Sequence, residues 1–103
     1  MIKLEEKNIY LCSSDNKEKL RAVYKLLVSM DKEVYCPLID DEKTISGLAK
    51  KIENSEIAIA ISEEPTTIRE LKERMLISLC GKRFIIFNIK QDGNNRDNSQ
   101  TKE

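Results

Sequence analysis

Four short apolar runs, NIYLC (8–12), EVYCPLI (33–39), EIAIAIS (56–62) and RFIIFNI (83–89), are separated by segments whose apolar residues recur at helical spacing. No other feature constrains the fold as much. Strands joined through helices require right-handed crossovers, and these force the strands to run parallel. The expected architecture is α/β, a flavodoxin-like four-stranded parallel sheet of order 2-1-3-4 with three helices. EIAIAIS is apolar almost without interruption, which suits a strand covered on both faces. Pro37 restricts the second run to an edge or a strand end.

The helices have their own punctuation. Asp15 followed by Glu18 reads as a capping box, and Leu20, Val23, Tyr24 and Leu27 carry the first helix to about Met30. Asp40, Asp41 and Glu42 lead into a second helix with Ile45, Leu48, Ala49 and Ile52 on one face, closed by Asn54-Ser55. Gly47 weakens that helix by roughly 1 kcal/mol relative to alanine. Thr67 with Glu70 forms another capping box, and Ile68, Leu71, Met75 and Leu79 make the expected core stripe of the third helix. Gly81 stands where a left-handed residue ends a helix. The expected domain spans residues 1–90; residues 91–103, with no apolar side chain, form an expected disordered tail.

Composition excludes more chemistry than it suggests. With no histidine in 103 residues, Ser-His and Cys-His nucleophile pairs and the common histidine metal sites are ruled out, and no metal is expected. Cys12, Cys36 and Cys80 are too widely spaced for a zinc ribbon or a disulfide framework. Lys plus Arg and Asp plus Glu are each 18, giving zero net charge without a basic cluster, so no nucleic-acid partner is expected. No run is long enough to span a bilayer and MIKLEEKN does not read as a signal peptide. A cytoplasmic protein without a membrane partner is the expectation.

In an open sheet of order 2-1-3-4, ligands bind beyond the carboxyl ends of the strands where the order reverses. That crevice is expected between residues 13–16 and 62–67. Neither a dinucleotide fingerprint nor a P-loop is present, because no glycine follows the first strand. Cys12 ends that strand, where a thiol at a helix amino terminus could serve a phosphocarrier, or else be a small core residue. Glu73 falls on the flank of the third helix's core stripe, between Cys80 and Ile77 and near Leu76. It is either a partly desolvated carboxylate or an exposed partner of Arg69. Ile77 fits the core stripe poorly, so its strip suggests self-association through this helix.

From Ile9 to Ile89, about four fifths of the chain, the sequence resembles the TIR (Toll/interleukin receptor) domain family. IYLCSSDNKEKLRAVYKLL is similar to the family's first strand, Ser and Asp, and first helix; ISGLAKKIENSEIAIAIS to its helix, Ile-x-x-Ser and apolar strand; ERMLISLCGKRFIIF to the segment with a glutamate eight residues before Gly-Lys. The resemblance implies a minimal TIR-like fold and, as in enzymatic members, cleavage of NAD at its N-glycosidic bond. It implies Glu73 as the catalytic residue, Ser13, Ser14 and Asp15 as nucleotide-holding positions, and NAD as substrate with no cofactor required; Ser62, on the other side of the expected crevice, is a further candidate to hold the nucleotide. Nucleoside deoxyribosyltransferases are similar over the same span, through Val34-Tyr35-Cys36-Pro37 and a nucleophilic glutamate of matching spacing. A non-catalytic interaction or nucleotide-sensing module remains the alternative to an enzyme.

Overall fold

The computed structural model describes residues 5–37 and 44–87. In chain order these form β1 (Asn8–Leu11), α1 (Lys17–Ser29), β2 (Glu33–Tyr35), α2 (Ile45–Glu53), β3 (Ile57–Ala60), α3 (Ile68–Leu79) and β4 (Arg83–Ile86). The four strands form one parallel sheet of order β2-β1-β3-β4, the flavodoxin-like arrangement. The expected tail, Leu38 to Glu42 and the end of the fourth run lie outside the described residues. No helix among the described residues is long and apolar enough to cross a membrane.

Strand periodicity sorts the core onto two faces. Ile9, Leu11, Ile57, Ile59 and Ile61 point toward α1 and meet Leu20, Val23 and Leu27. Tyr10, Cys12, Ala58 and Ala60 point the other way and meet Leu48 and Ile52 of α2 and Ile77 of α3. All four residues of β3 are buried. Each fully buried aliphatic side chain of this set contributes about 1.5–3 kcal/mol.

Helix starts follow local polar chemistry. Asn16, not Asp15, caps α1, its Oδ1 accepting from the Lys19 amide at 3.1 Å. The shift by one residue arises because the Asp15 amide is already committed, donating to Thr66 Oγ1 at 2.9 Å across the sheet edge. Thr44 caps α2 and Thr67 caps α3, each accepting at 3.0 Å from the amide three residues on. The second half of the expected Thr67–Glu70 box is rerouted: the Glu70 carboxylate accepts from the amide of Thr66, not of Thr67.

The largest correction concerns α3. Ile68, Leu71, Met75 and Leu79, the expected core stripe, are 75, 49, 58 and 82% exposed, while Glu70, Glu73 and Ile77 are buried. At 3.6 residues per turn the two sets lie on opposite sides of the helix. Ile77 therefore belongs to the core and not to a self-association strip. The small Ala58 and Ala60 beneath α3 leave room for long side chains, and loop amides just beyond the strand ends need acceptors that only polar side chains supply.

Two helix-to-strand turns use a left-handed residue, Asp31 after α1 (φ 64°) and Gly81 after α3 (φ 66°). A Cβ at Gly81 would meet nothing within 4 Å, so substitution acts through the backbone alone. Gly81→Ala is expected to cost about 1 kcal/mol in urea unfolding, with no change in fold by circular dichroism.

A candidate carboxylate site at the strand-order reversal

β1 and β3 lie side by side, and their crossovers leave in opposite directions, to α1 on one face and to α3 on the other. The ladder runs on past β1, the Cys12 amide donating to Ile59 O at 2.8 Å. Ser13 is the first residue beyond it. Its amide donates to Glu73 Oε1 at 2.7 Å and its hydroxyl to Glu73 Oε2 at 2.5 Å. Both residues of the contact are buried, Ser13 at 1% and Glu73 at 0% exposure. Helix α3 thus turns this carboxylate to the end of β1, beside the reversal.

Burial decides its protonation. Glu73 accepts two hydrogen bonds and lies 3.7 Å from Arg69 Nε, all of which favour the ion, yet desolvation outweighs them and its pKa is raised above the ordinary carboxylate range. Glu56 makes the contrast. It too accepts two bonds, from the Asn8 and Lys7 amides, but in open solvent, and its pKa is lowered by them. With two accepted bonds each, the outcomes diverge chiefly because Glu73 is desolvated, the Glu70 charge adding to its rise.

A second carboxylate stands one turn earlier. Glu70, also at 0% exposure, accepts from the Thr66 amide at 2.8 Å and from Arg74 Nε and Nη2 at 3.1 and 2.6 Å. Arg74 in turn donates to the carbonyls of Ser62 and Glu63 at 2.7 and 2.6 Å and lies over the Phe84 ring. Thr66 also reaches Ser14, hydroxyl to hydroxyl at 3.4 Å. The loops after β1 and β3 are therefore tied to α3 and to each other by side chains.

The expected site residues divide. Ser13 and Ser14 are buried at the edge, with Ser13 directly on Glu73. Asp15 is exposed and contributes its amide. Ser62 is half-buried and joins the Glu70–Arg74 network, its hydroxyl donating to Glu64 O at 2.9 Å. Sequence reasoning missed Glu70 and Arg74 as members of this edge, took Arg69 only as the partner of an exposed Glu73, and missed Tyr10. The signal for the first three was present in R-E-x-x-E-R (69–74), which interleaves two opposite-charge pairs four residues apart on one helix. Tyr10 gives none: its hydroxyl is buried, has no hydrogen-bond partner among the described residues, and burial with the nearby Glu73 charge pushes its pKa far up.

Cys12 is fully buried, and desolvation followed by the Glu73 and Glu70 charges raises its pKa well above the usual thiol value. Such a thiol is a core residue, and a phosphocarrier role loses its nucleophile. At the opposite, amino edge of the strands a cavity of about 240 Å³ is lined by Asn8, Glu33, Asn54 and Ser55 among others, without a buried charged group. Among the described residues no cluster of three metal-ligating side chains occurs. Comparison of the chain with models of protein families, with curated proteins and with solved structures finds no match.

Proposed function

We propose that the domain cleaves the N-glycosidic bond of a nucleotide, NAD foremost, with Glu73 as the essential carboxylate. One observation carries this reading: α3 buries that carboxylate at the reversal point while four large apolar side chains of the same helix face water. These four, about half to four fifths exposed, forgo part of the roughly 1.5–3 kcal/mol that full burial of each would give. A desolvated carboxylate with raised proton affinity at a strand-order reversal is the kind of group that functional sites hold. The TIR-like resemblance selects the same residue from its spacing before Gly81-Lys82.

The residue set suits the chemistry. The bond from ribose C1′ to nicotinamide breaks with its electron pair going to the pyridinium nitrogen, which becomes neutral, so no general acid is needed. The developing oxocarbenium ion is cationic, and a carboxylate in a low-dielectric setting stabilises it more strongly than one in water. Water then adds at C1′. A carboxylate with raised proton affinity is suited to take the proton released. Ser13 orients Glu73 through two bonds. Because Glu73 is fully covered, substrate contact requires an opening movement, and Arg69, 34% exposed at its side chain, is its outermost described partner. Incubation with NAD at micromolar protein tests the proposal; absence of nicotinamide release by the wild-type chain removes it.

The outward stripe of α3 favours a second, compatible reading, an interaction module that pairs with a second copy. Ile68, Leu71, Met75 and Leu79 together expose about 500 Å² of apolar surface, more than a scattering of single residues on a monomer. Stripe against stripe, two copies would bury about 1,000 Å², the lower limit for a specific interface. A net charge of zero sets up no mean repulsion between them. Sedimentation at high micromolar concentration is expected to show a dimer that Leu71→Glu with Leu79→Glu converts to a monomer with an unchanged circular dichroism spectrum. A wild-type monomer under those conditions excludes the pairing.

A further inference from the structure

Two Arg–Glu pairs lie four residues apart along the same turns of α3, and they are used differently. Arg74 turns the Nε–Nη2 edge of its guanidinium onto Glu70, closing both donors on one carboxylate oxygen at 3.1 and 2.6 Å. Arg69 brings its Nε only to 3.7 Å from Glu73 Oε2, and Glu73 gives its oxygens to Ser13 instead. Arg69 Nε and Nη2 are both buried and neither has a hydrogen-bond partner among the described residues. Buried donors of a charged group without an acceptor are rare, because each retains its desolvation penalty uncompensated. The planar edge of a guanidinium matches two oxygens of a carboxylate or phosphate. Arg69 has that edge turned inward while about a third of its side chain remains exposed. A swing of this part-exposed side chain toward solvent brings the edge to an oxyanion at the mouth of the Glu73 site.

We infer that Arg69 is an oxyanion subsite of the Glu73 site, and that the ligand taken there is a nucleotide phosphate and not a bare nucleoside. The inference rests on the reading of Glu73 as a ligand-facing group and sharpens it. Of the two resemblances above, it favours a phosphate-bearing substrate such as NAD over the nucleosides used by deoxyribosyltransferases. Arg69 would then bind and orient, exchanging its loose contact with Glu73 for two charge-assisted bonds to phosphate. Moving the guanidinium outward would also uncover the carboxylate, so binding and access are served by one side chain.

Titration calorimetry on the full chain with AMP, adenosine and inorganic phosphate tests this. AMP is expected to bind at least about tenfold more tightly than adenosine, the worth of one charge-assisted hydrogen bond. Arg69→Lys, which keeps the charge but not the planar edge, is expected to lose that margin and leave adenosine unchanged. Inorganic phosphate binding that depends on Arg69 supports the subsite and identifies free oxyanion as a further source. Equal affinities for AMP and adenosine, no binding of either, or an Arg69→Lys chain that binds AMP like the wild type overturns the inference. The melting temperature of Arg69→Lys verifies its fold. The two proposals fail separately. Arg69-dependent AMP binding without nicotinamide release removes the hydrolase and keeps the subsite, whereas nicotinamide release with an unchanged KM in Arg69→Lys does the reverse.

Discussion

Glu73→Gln is expected to lower nicotinamide release from NAD by about a thousandfold or more while the domain stays folded. Glutamine has the same shape, its carbonyl oxygen still accepts from the Ser13 amide, and its amide can face the Ser13 hydroxyl. What disappears is the negative charge at the reversal point. A rate assay beside a thermal melt therefore separates chemistry from packing. Activity that survives the substitution would show that another group performs the reaction. The same variant carries a signature in pH. The Glu73 pKa is raised in the folded chain, so the folded state holds its proton more tightly than the unfolded state. Its contribution to stability is complete below the unfolded carboxylate value and is lost as pH rises through the folded one. Wild-type stability should fall over that interval relative to Glu73→Gln, which does not titrate. Urea unfolding of both chains across the acid range reads the difference directly, and parallel profiles would count against the buried carboxylate.

Glu70→Ala is expected to be the most destabilising single change at this edge, costing about 3–5 kcal/mol, because it leaves Arg74 without its counter-charge, held only by the Ser62 and Glu63 carbonyls, and the Thr66 amide without its acceptor. Against a whole-domain stability of about 5–15 kcal/mol, that loss is enough to unfold a large fraction of the chain on warming. Removing both charges by Glu70→Leu with Arg74→Met should recover much of it, since an apolar pair of similar volume strands no ion. Equal destabilisation by the single and double changes, measured in urea, would show that packing and not the buried charge sets the cost.

The sheet was legible because its signal is local. Ile57 to Ala60 can satisfy an apolar run only between two layers, and the succession of strands and helices leaves few topologies. The face pattern of α1 was legible for the same reason, Leu20, Val23 and Leu27 being its only deep apolar positions. The roll of α3 was not. Periodicity says that Ile68, Leu71, Met75 and Leu79 share a side; it does not say that the side faces inward. The choice was made by groups distant in sequence, the Ser13 and Thr66 amides that need acceptors and the small Ala58 and Ala60 below. Glu73 was noticed from its spacing, whereas Glu70 was read only as a cap because Thr67 three residues earlier offers that simpler role. The one-residue slip at Asn16 has a like origin, a cross-edge bond from Asp15 invisible to local pattern.

Helix α3 faces two environments with one rigid body twelve residues long. Any contact that grips its outer side also sets its roll, and the roll fixes how far the inner carboxyl groups reach toward the loops they hold. Coupling between the two sides therefore needs no relay through the sheet; it follows from the stiffness of a single rod, and by linkage it acts equally in both directions.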